Sequence, residues 1–575
     1  MKKVQYLILV ALLAMSATVA NACTNFLVGK KASVDGSTMI SYAADSYWLF
    51  GSLVHYPAAV HQSGVMRDVY EWDTNKYLGQ IKEAPRTYNV IGNINEYQVA
   101  IGETTFTGRE ELIDTTGIID YGSLIYIALQ RSRTAREAIR VMTDLVAEYG
   151  YYSSGESFSI ADPNEIWIME MIGKGVGNKG AVWVARLIPS DCVSAHANQA
   201  RITTFPTEKT SKYSISSRHM NRLNDTTINC VYAEDVISFA RAKGYYKGAD
   251  KDFSFSDTYN PLDWGGIRFC EARVWSFFNK INGDMKRHLP YINGEVKERM
   301  PLWVKPNRKI SVNDMKNFMR YHYEGTPLDV TTGMGSGAWG TPYRNTPLTY
   351  KAKNGKEYYH ERPIATQQTG FSFVAQMRDW LPNHVGGILW FGVDDATVTC
   401  YVPMYCGMKS VPECFSENNG SLLDISWTSA FWINNWLGSM VYARYSRLIP
   451  FVKTEQQKWD EYFVNEIKAI DERGRELIAI PDERAIDQMI TNFSCKQAEK
   501  ATAAWKKLAE HLFVKFLDDA EKGTDEKGRF LRSNGNIPAK VIREGYPQDY
   551  IEKELVKPNP ERFRSKTQQE MDNRK

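Results

Sequence analysis

One cysteine, Cys23, stands where an apolar leader gives way to an extended run, and this junction limits the folds open to the chain more than any other feature. Lys2 and Lys3 form a positive start, Tyr6 to Met15 is a short apolar stretch, and Ala20-Asn21-Ala22 sets small residues at −3 and −1. That is the layout of a cleavable export signal cut after Ala22. Thr24 to Gly29 then reads as a strand, Ser33-Val34-Asp35-Gly36-Ser37 as a loop, and Thr38-Met39-Ile40 as a returning strand. The mature chain would therefore begin on Cys23 and run directly into a sheet.

A lipoprotein signal is the rival reading, because a cysteine follows the cut. Such signals want Leu at −3 and a small residue at −2, whereas Ala20 and Asn21 stand there. The leader is too short to span a bilayer, and no later segment reaches about 18 uninterrupted apolar residues. An exported, soluble protein, periplasmic or secreted, is expected.

Net charge excludes one class of partner: 70 Lys and Arg against 67 Asp and Glu leave only +3, with no basic stripe among aromatics, so nucleic acid is not expected. The eight cysteines are scattered without C-x-x-C pairs, which argues against a zinc site. Cys406 and Cys414 are the nearest candidates for a disulfide in an oxidising compartment.

Further along, Tyr88 to Gly92 and Gln98 to Gly102 read as a second extended pair. Tyr121 to Arg131 reads as a helix, and Thr134-Ala135-Arg136-Glu137 as a capping box opening another that Gly150 ends. Asp162-Pro163-Asn164 is a turn between two strands. Gly386 to Val393 and Thr399 to Met404 look like buried strands. Strands, helices, then strands again predict an α+β fold rather than alternating βαβ units. Beyond residue 424 the spacing predicts helices over Trp427 to Arg444, Thr454 to Ile478 and Thr491 to Lys522, with Pro481 breaking between two of them.

Cys23 is also the chemical focus. Once Ala22 is cut away, its thiol lies beside a free α-amine of pKa about 8, which can accept the thiol proton. One residue then carries nucleophile and base. His196 with Cys23 and Asn198 suggests a papain-like arrangement instead, but there the cysteine begins a helix after a glycine-rich turn, and Cys23 begins a β-like run. His196 therefore reads as structural. Tyr47-Trp48-Leu49-Phe50 suits a pocket wall and a packed core equally.

The run from Cys23 to Ile40, closing in Ala44-Asp45-Ser46, resembles the N-terminus of the C69 family of cysteine dipeptidases, which is similar to the bile salt hydrolases and penicillin V acylases. Further blocks resemble it at Gly102-Glu103-Thr104-Thr105-Phe106, Gly155-Glu156-Ser157-Phe158, Ser194 to Arg201, Arg268 to Trp275 and Gly386 to Asp395. The resemblance implies an αββα four-layer sandwich of the N-terminal-nucleophile (Ntn) hydrolases, with a helical C-terminal extension and neither metal nor organic cofactor. It implies that Cys23 attacks the amide, that Asp45 orients the α-amine, and that the Asn198 side chain and the Thr105 backbone N–H form an oxyanion hole. Arg268 is implied as a pocket arginine near the nucleophile. Where the family usually carries another arginine near the thiol, this chain has Tyr42, so either the Tyr42 hydroxyl donates to the thiol or Arg268 takes over.

The expected organisation is a signal peptide over 1–22, a peptidase domain over 23–423, a helical region over 424–533 and a polar tail over 534–575. The expected activity is hydrolysis of dipeptides or small peptides. The alternatives are an acylase for conjugated amides and a noncatalytic, Cys-anchored envelope protein.

Overall fold

The computed structural model describes residues 23–478, 483–557 and 564–567, with Gln569 and Met571. The expected signal peptide and the helix break at Pro481 lie outside the described residues.

From Cys23 the chain enters β1 (Asn25–Val28) and returns on β2 (Thr38–Asp45), with Leu27 opposite Ile40. It crosses to β3 (Ala100–Thr107), forms helices α1 (Tyr121–Arg131) and α2 (Ala135–Tyr149), and continues through β4 (Gly155–Ala161), β5 (Ile166–Gly173) and β6 (Ala181–Leu187). β7 (Val193–His196) comes back beside β1, with His196 opposite Asn25. Helices α3 (Ala272–Ile281) and α4 (Val312–Met319) precede β8 (Thr369–Met377), β9 (Ile388–Val393) and β10 (Val402–Tyr405).

Local signals account for these boundaries. The Asp120 side chain accepts from the Gly122 N–H at 3.1 Å and starts α1. Thr134 Oγ1 accepts from the Glu137 N–H at 3.1 Å and starts α2, which Gly150 ends at a φ of 80° that side chains disfavour. Glu137 reaches back not to Thr134 but to the Arg133 N–H, at 2.7 Å. Asp162 Oδ1 accepts from the N–H groups of Asn164 and Glu165 at 2.8 and 3.0 Å, closing the turn between β4 and β5.

Among the described residues, β7, β1, β2, β8, β9 and β10 form a seven-stranded sheet with the short strand Trp303–Val304 at its edge. A nine-stranded sheet runs Ser214–Ser216, Cys230–Tyr232, β6, β5, β4, β3, then Ile94–Asn95, Val90–Ile91 and His55–Tyr56. Pairing is antiparallel except between Ser214–Ser216 and Cys230–Tyr232, which makes the fold α+β. The two sheets meet where β1 and β2 lie against β3 and β4. Gly102 permits that approach: a Cβ there would sit 3.1 Å from the Asn25 amide and 3.3 Å from Tyr42 Cβ. Helices α1 and α2 pack on the nine-stranded sheet, and α3 and α4 on the other.

The C-terminal helices are α5 (Ala430–Ala443), α6 (Tyr445–Ile478) and α7 (Glu483–Lys515). They belong to the same buried apolar cluster as the sheets, through Leu437, Phe463, Ile490 and Trp505. The Trp505 indole donates to the Val398 carbonyl at 2.7 Å, and the buried Lys316 of α4 pairs with Asp460 of α6 at 2.9 Å. Each buried side chain of this size is worth about 1.5–3 kcal/mol, so the helices and sheets stabilise one another.

Several expected boundaries move. Helix α6 starts at Tyr445 rather than Thr454, with Pro450 inside it, where the missing N–H leaves the Ser446 carbonyl without its regular helical donor. Thr491, the expected start of a helix, lies within α7 and bonds back to the Asp487 carbonyl at 2.6 Å. That helix stops at Lys515, because Asp518 and Asp519 take left-handed φ values of 55° and 61°; Glu521–Lys522 is then a strand paired with Val541–Ile542. The expected polar tail from 534 carries the short strands Ile537–Pro538 and Val541–Ile542 and a helix over Gln548–Leu555. All eight cysteines are free thiols, and Cys406, the expected partner of Cys414, instead donates to the Asn383 carbonyl at 3.0 Å. Among the described residues no helix is long and apolar enough to cross a membrane.

Candidate active site

Two strand pairings place Cys23. Thr24 bridges Ala43 of β2, with the Ala43 N–H donating to the Thr24 carbonyl at 3.0 Å, and β1 is held on its other side by β7. Cys23 thus sits beside the end of β2. The register of β2 shifts between Ala44 and Asp45, an irregularity that re-aims the side chain there. Asp45 Oδ2 accepts from Arg362 at 2.8 Å and Oδ1 from the Thr369 hydroxyl at 2.6 Å.

Cys23 is buried at 5% exposure, yet it lines a cavity of about 750 Å3 together with Tyr42, Asp45, Trp48, Phe50, Glu103 and Thr105. Of the aromatic run, Trp48, Leu49 and Phe50 reach this cavity and Tyr47 does not.

The strongest grip on Cys23 comes from Arg273 of α3. Its Nη1 donates to the Cys23 carbonyl at 2.6 Å and to Thr24 Oγ1 at 2.8 Å. Its Nη2 donates to Asn198 Oδ1 at 2.9 Å, and its Nε to the Phe269 carbonyl at 2.7 Å. Asn198, at a φ of 58°, donates through Nδ2 to the Thr105 carbonyl at 2.7 Å. One guanidinium therefore ties Cys23, Asn198 and, through Asn198, Thr105 into one constellation.

The thiol is neutral in this setting. Burial pushes the Cys23 pKa well above the ordinary cysteine range, and the carboxylates of Glu103 and Asp45 push it further, against a smaller opposing hydrogen bond from the Asp45 backbone. The Tyr42 hydroxyl gives its proton to Glu103 Oε1 at 2.5 Å, so at 3.7 Å the thiol is the donor toward Tyr42, not the acceptor. The thiol also lies 3.5 Å from the same Glu103 oxygen. A neutral thiol is a weak nucleophile and needs a base.

His196 does not bond to that thiol. Its Nδ1 pairs with the Thr104 hydroxyl and its Nε2 with that of Ser159, both at 2.7 Å, and burial pushes its pKa down to about 3. It fastens β7 to β3 and β4, which agrees with its structural reading.

The family model described as Peptidase family C69 matches residues 22–54 and 49–458. The chain belongs to peptidase family C69. Similar proteins include a probable dipeptidase of Salmonella dublin, 27% identical over 429 residues that span 70% of this chain and 84% of that protein. A probable dipeptidase of Latilactobacillus sakei is 24% identical across 78% of this chain and 87% of its own length. Dipeptidase A of Lactobacillus helveticus is 25% identical across 74% and 84%.

Of the site residues expected for a C69 peptidase, the fold gathers Cys23, Asp45, Thr105 and Asn198. Arg268 is elsewhere: it pairs with Glu361 at 2.6 Å, donates to the Ile292 carbonyl and Asn293 Oδ1, both at 3.1 Å, and does not line the cavity. It belongs to the π-helical segment Gly266–Glu271 that leads into α3, whereas Arg273 points from α3 itself. Arg273 went unassigned in the sequence, although an arginine among Ala272, Val274, Trp275, Phe277 and Phe278 is a signal of a buried polar task. Glu103 and Glu156 were also missed. Each is a carboxylate in a fully buried stretch of strand, which is rare without a partner.

Proposed function

We propose that this C69 peptidase is an exported dipeptidase whose N-terminal nucleophile is Cys23, freed when residues 1–22 are removed. The observation that carries this reading is the clamp of Arg273 on the Cys23 carbonyl, which fixes a buried thiol at the edge of a substrate-sized cavity. No histidine is bonded to that thiol among the described residues, and the α-amine of Cys23 itself is the base. It takes the thiol proton, and the sulfur bonds to the substrate carbonyl carbon while the C=O electron pair moves onto oxygen. Collapse breaks the C–N bond, and the α-ammonium protonates the departing amine. Water, deprotonated by the same α-amine, then displaces the sulfur from the thioester.

Asn198 and the Thr105 N–H supply the oxyanion donors, Arg273 orients Asn198, and Asp45 orients the α-amine of Cys23. Sheets packed face to face with helices on each support an αββα sandwich of the Ntn kind. We place the peptidase unit at 23–423, the helical region at 424–533 and the polar tail at 534–575.

Mass spectrometry of the mature N-terminus, combined with dipeptide turnover by wild type and Cys23→Ala, tests the reading. An unmodified Cys23 and an inactive, folded alanine variant are expected. A lipidated Cys23, or an alanine variant that still turns over, refutes it.

A further inference from the structure

Six carboxylates line the cavity beside Cys23, those of Asp45, Asp68, Glu71, Asp73, Glu103 and Glu417, against the single guanidinium of Arg67 among the described residues. Asp45 is neutralised by Arg362, and Arg67 is itself turned to Gln130 and Glu83. Glu103 is different. It is 1% exposed, its Oε1 lies 3.5 Å from Cys23 Sγ, and its Oε2 has no hydrogen-bond donor. No lysine, arginine or histidine among the described residues forms an ion pair with it.

Behind Glu103 stands Glu156, fully buried, whose Oε1 accepts from the Thr105 hydroxyl at 2.7 Å and whose Oε2 likewise lacks a donor. The two carboxyls are within hydrogen-bonding reach of each other. Burial raises both pKa values, and the charge of Glu103 raises that of Glu156 further, so Glu156 takes up a proton more readily than Glu103 and can share it with that carboxyl. The hydrogen bond from Tyr42 favours the same order. Glu103 thus lies beside Cys23 with neutral hydrogen-bond partners and, among the described residues, no ion-paired cation.

Substrate geometry supplies a cation. In a dipeptide the α-nitrogen lies about 2.5 Å from the carbonyl carbon of the same residue. Attack requires that carbon within about 3–3.5 Å of the sulfur. The ammonium of a reacting dipeptide is therefore within about 6 Å of Cys23 Sγ, in the shell occupied by Glu103. An acyl amide would present a methylene there and leave the carboxylate unpaired.

We propose that Glu103, backed by Glu156, binds the α-ammonium of the residue whose carbonyl is attacked, and thereby restricts the enzyme to peptides with a free amino group at that residue. This rests on Cys23 being the nucleophile. The competing cation is the α-amine of Cys23 itself, and the competing role is acceptance of the thiol proton.

The test compares Ala-Ala with propionyl-Ala, which differs only in lacking the ammonium group. For protein beginning at Cys23, kcat/KM is expected to favour Ala-Ala by at least about 100-fold, and Glu103→Gln to lose that preference by falling on Ala-Ala alone. Equal losses on both substrates would assign Glu103 to Cys23 and overturn the proposal. If Glu103→Gln does not fold, the wild-type ratio decides, and equal turnover of the two substrates overturns it. Calorimetry on Cys23→Ala separates the proposal from the nucleophile reading, because it requires no turnover. Ala-Ala binding about 100-fold tighter than propionyl-Ala upholds the ammonium contact even if the wild type hydrolyses neither, whereas equal or absent binding of both overturns it.

Discussion

Arg273 donates to the backbone carbonyl of Cys23 at 2.6 Å, and the other arm of the same guanidinium holds Asn198. A planar fork with fixed donor directions can set two groups at once, and a lysine cannot. The side chain is buried at 1% exposure, among groups that all need its protons.

Arg273→Lys should therefore lower kcat for dipeptides by about 10²–10³, comparable to losing an oxyanion donor, since Asn198 loses its anchor. Arg268→Met should lower the melting temperature by breaking the Glu361 pair, yet leave kcat within a few-fold. Steady-state kinetics and thermal melts on both variants check this, and the reverse ranking in kcat would return Arg268 to the site.

The α-amine makes a second case. A protein retaining one residue ahead of Cys23 should fold but show no dipeptide turnover, because an amide nitrogen has no usable basicity. The extra residue also occupies space beside the cavity. Adding the free-amine form restores activity only in proportion to its amount, as measured by turnover with circular dichroism on both forms. Equal rates would move the base elsewhere, with Glu103 the nearest group.

His196 predicts a pH effect on stability rather than on rate. Its folded pKa of about 3 lies below the ordinary value of 6.5, so the folded state resists protonation. The stability it contributes is complete above pH 6.5 and is lost as pH falls toward 3. Between those limits a His196→Asn variant should lose less stability than wild type in denaturant titrations. The pH dependence of kcat/KM should keep its shape, and a vanished alkaline or acidic limb would make His196 catalytic.

Asp45 and Arg362 form a buried pair, with side chains 0% and 6% exposed. Arg362→Met strands the carboxylate beside Cys23, and destabilisation of about 3–5 kcal/mol is expected in urea unfolding. Asp45→Asn combined with Arg362→Met should recover part of that loss, since no charge then remains uncompensated. A double variant as unstable as the sum of the singles would mean that the pair is not coupled.

Local chemistry along the chain determined a good deal by itself. The strand after Cys23, the cap at Thr134, the stop at Gly150 and the Asp162 turn all lie where the residues place them, because each depends on atoms within a few positions. The helical spacing beyond residue 424 was equally plain, although its ends were not, since Thr491 and Pro450 can be accommodated inside a helix that packs well. Which arginine meets Cys23 was decided only in three dimensions. Arg268 and Arg273 are five residues apart, and the path of the chain into α3 sends one to Glu361 and the other, 250 positions from its target, to the Cys23 carbonyl. Glu103 and Glu156 likewise meet only because β3 and β4 pair in a register that sets Thr105 opposite Glu156. A charge in a strand announces that it needs a partner, but the partner is chosen by register and sheet packing, which no neighbouring residue encodes.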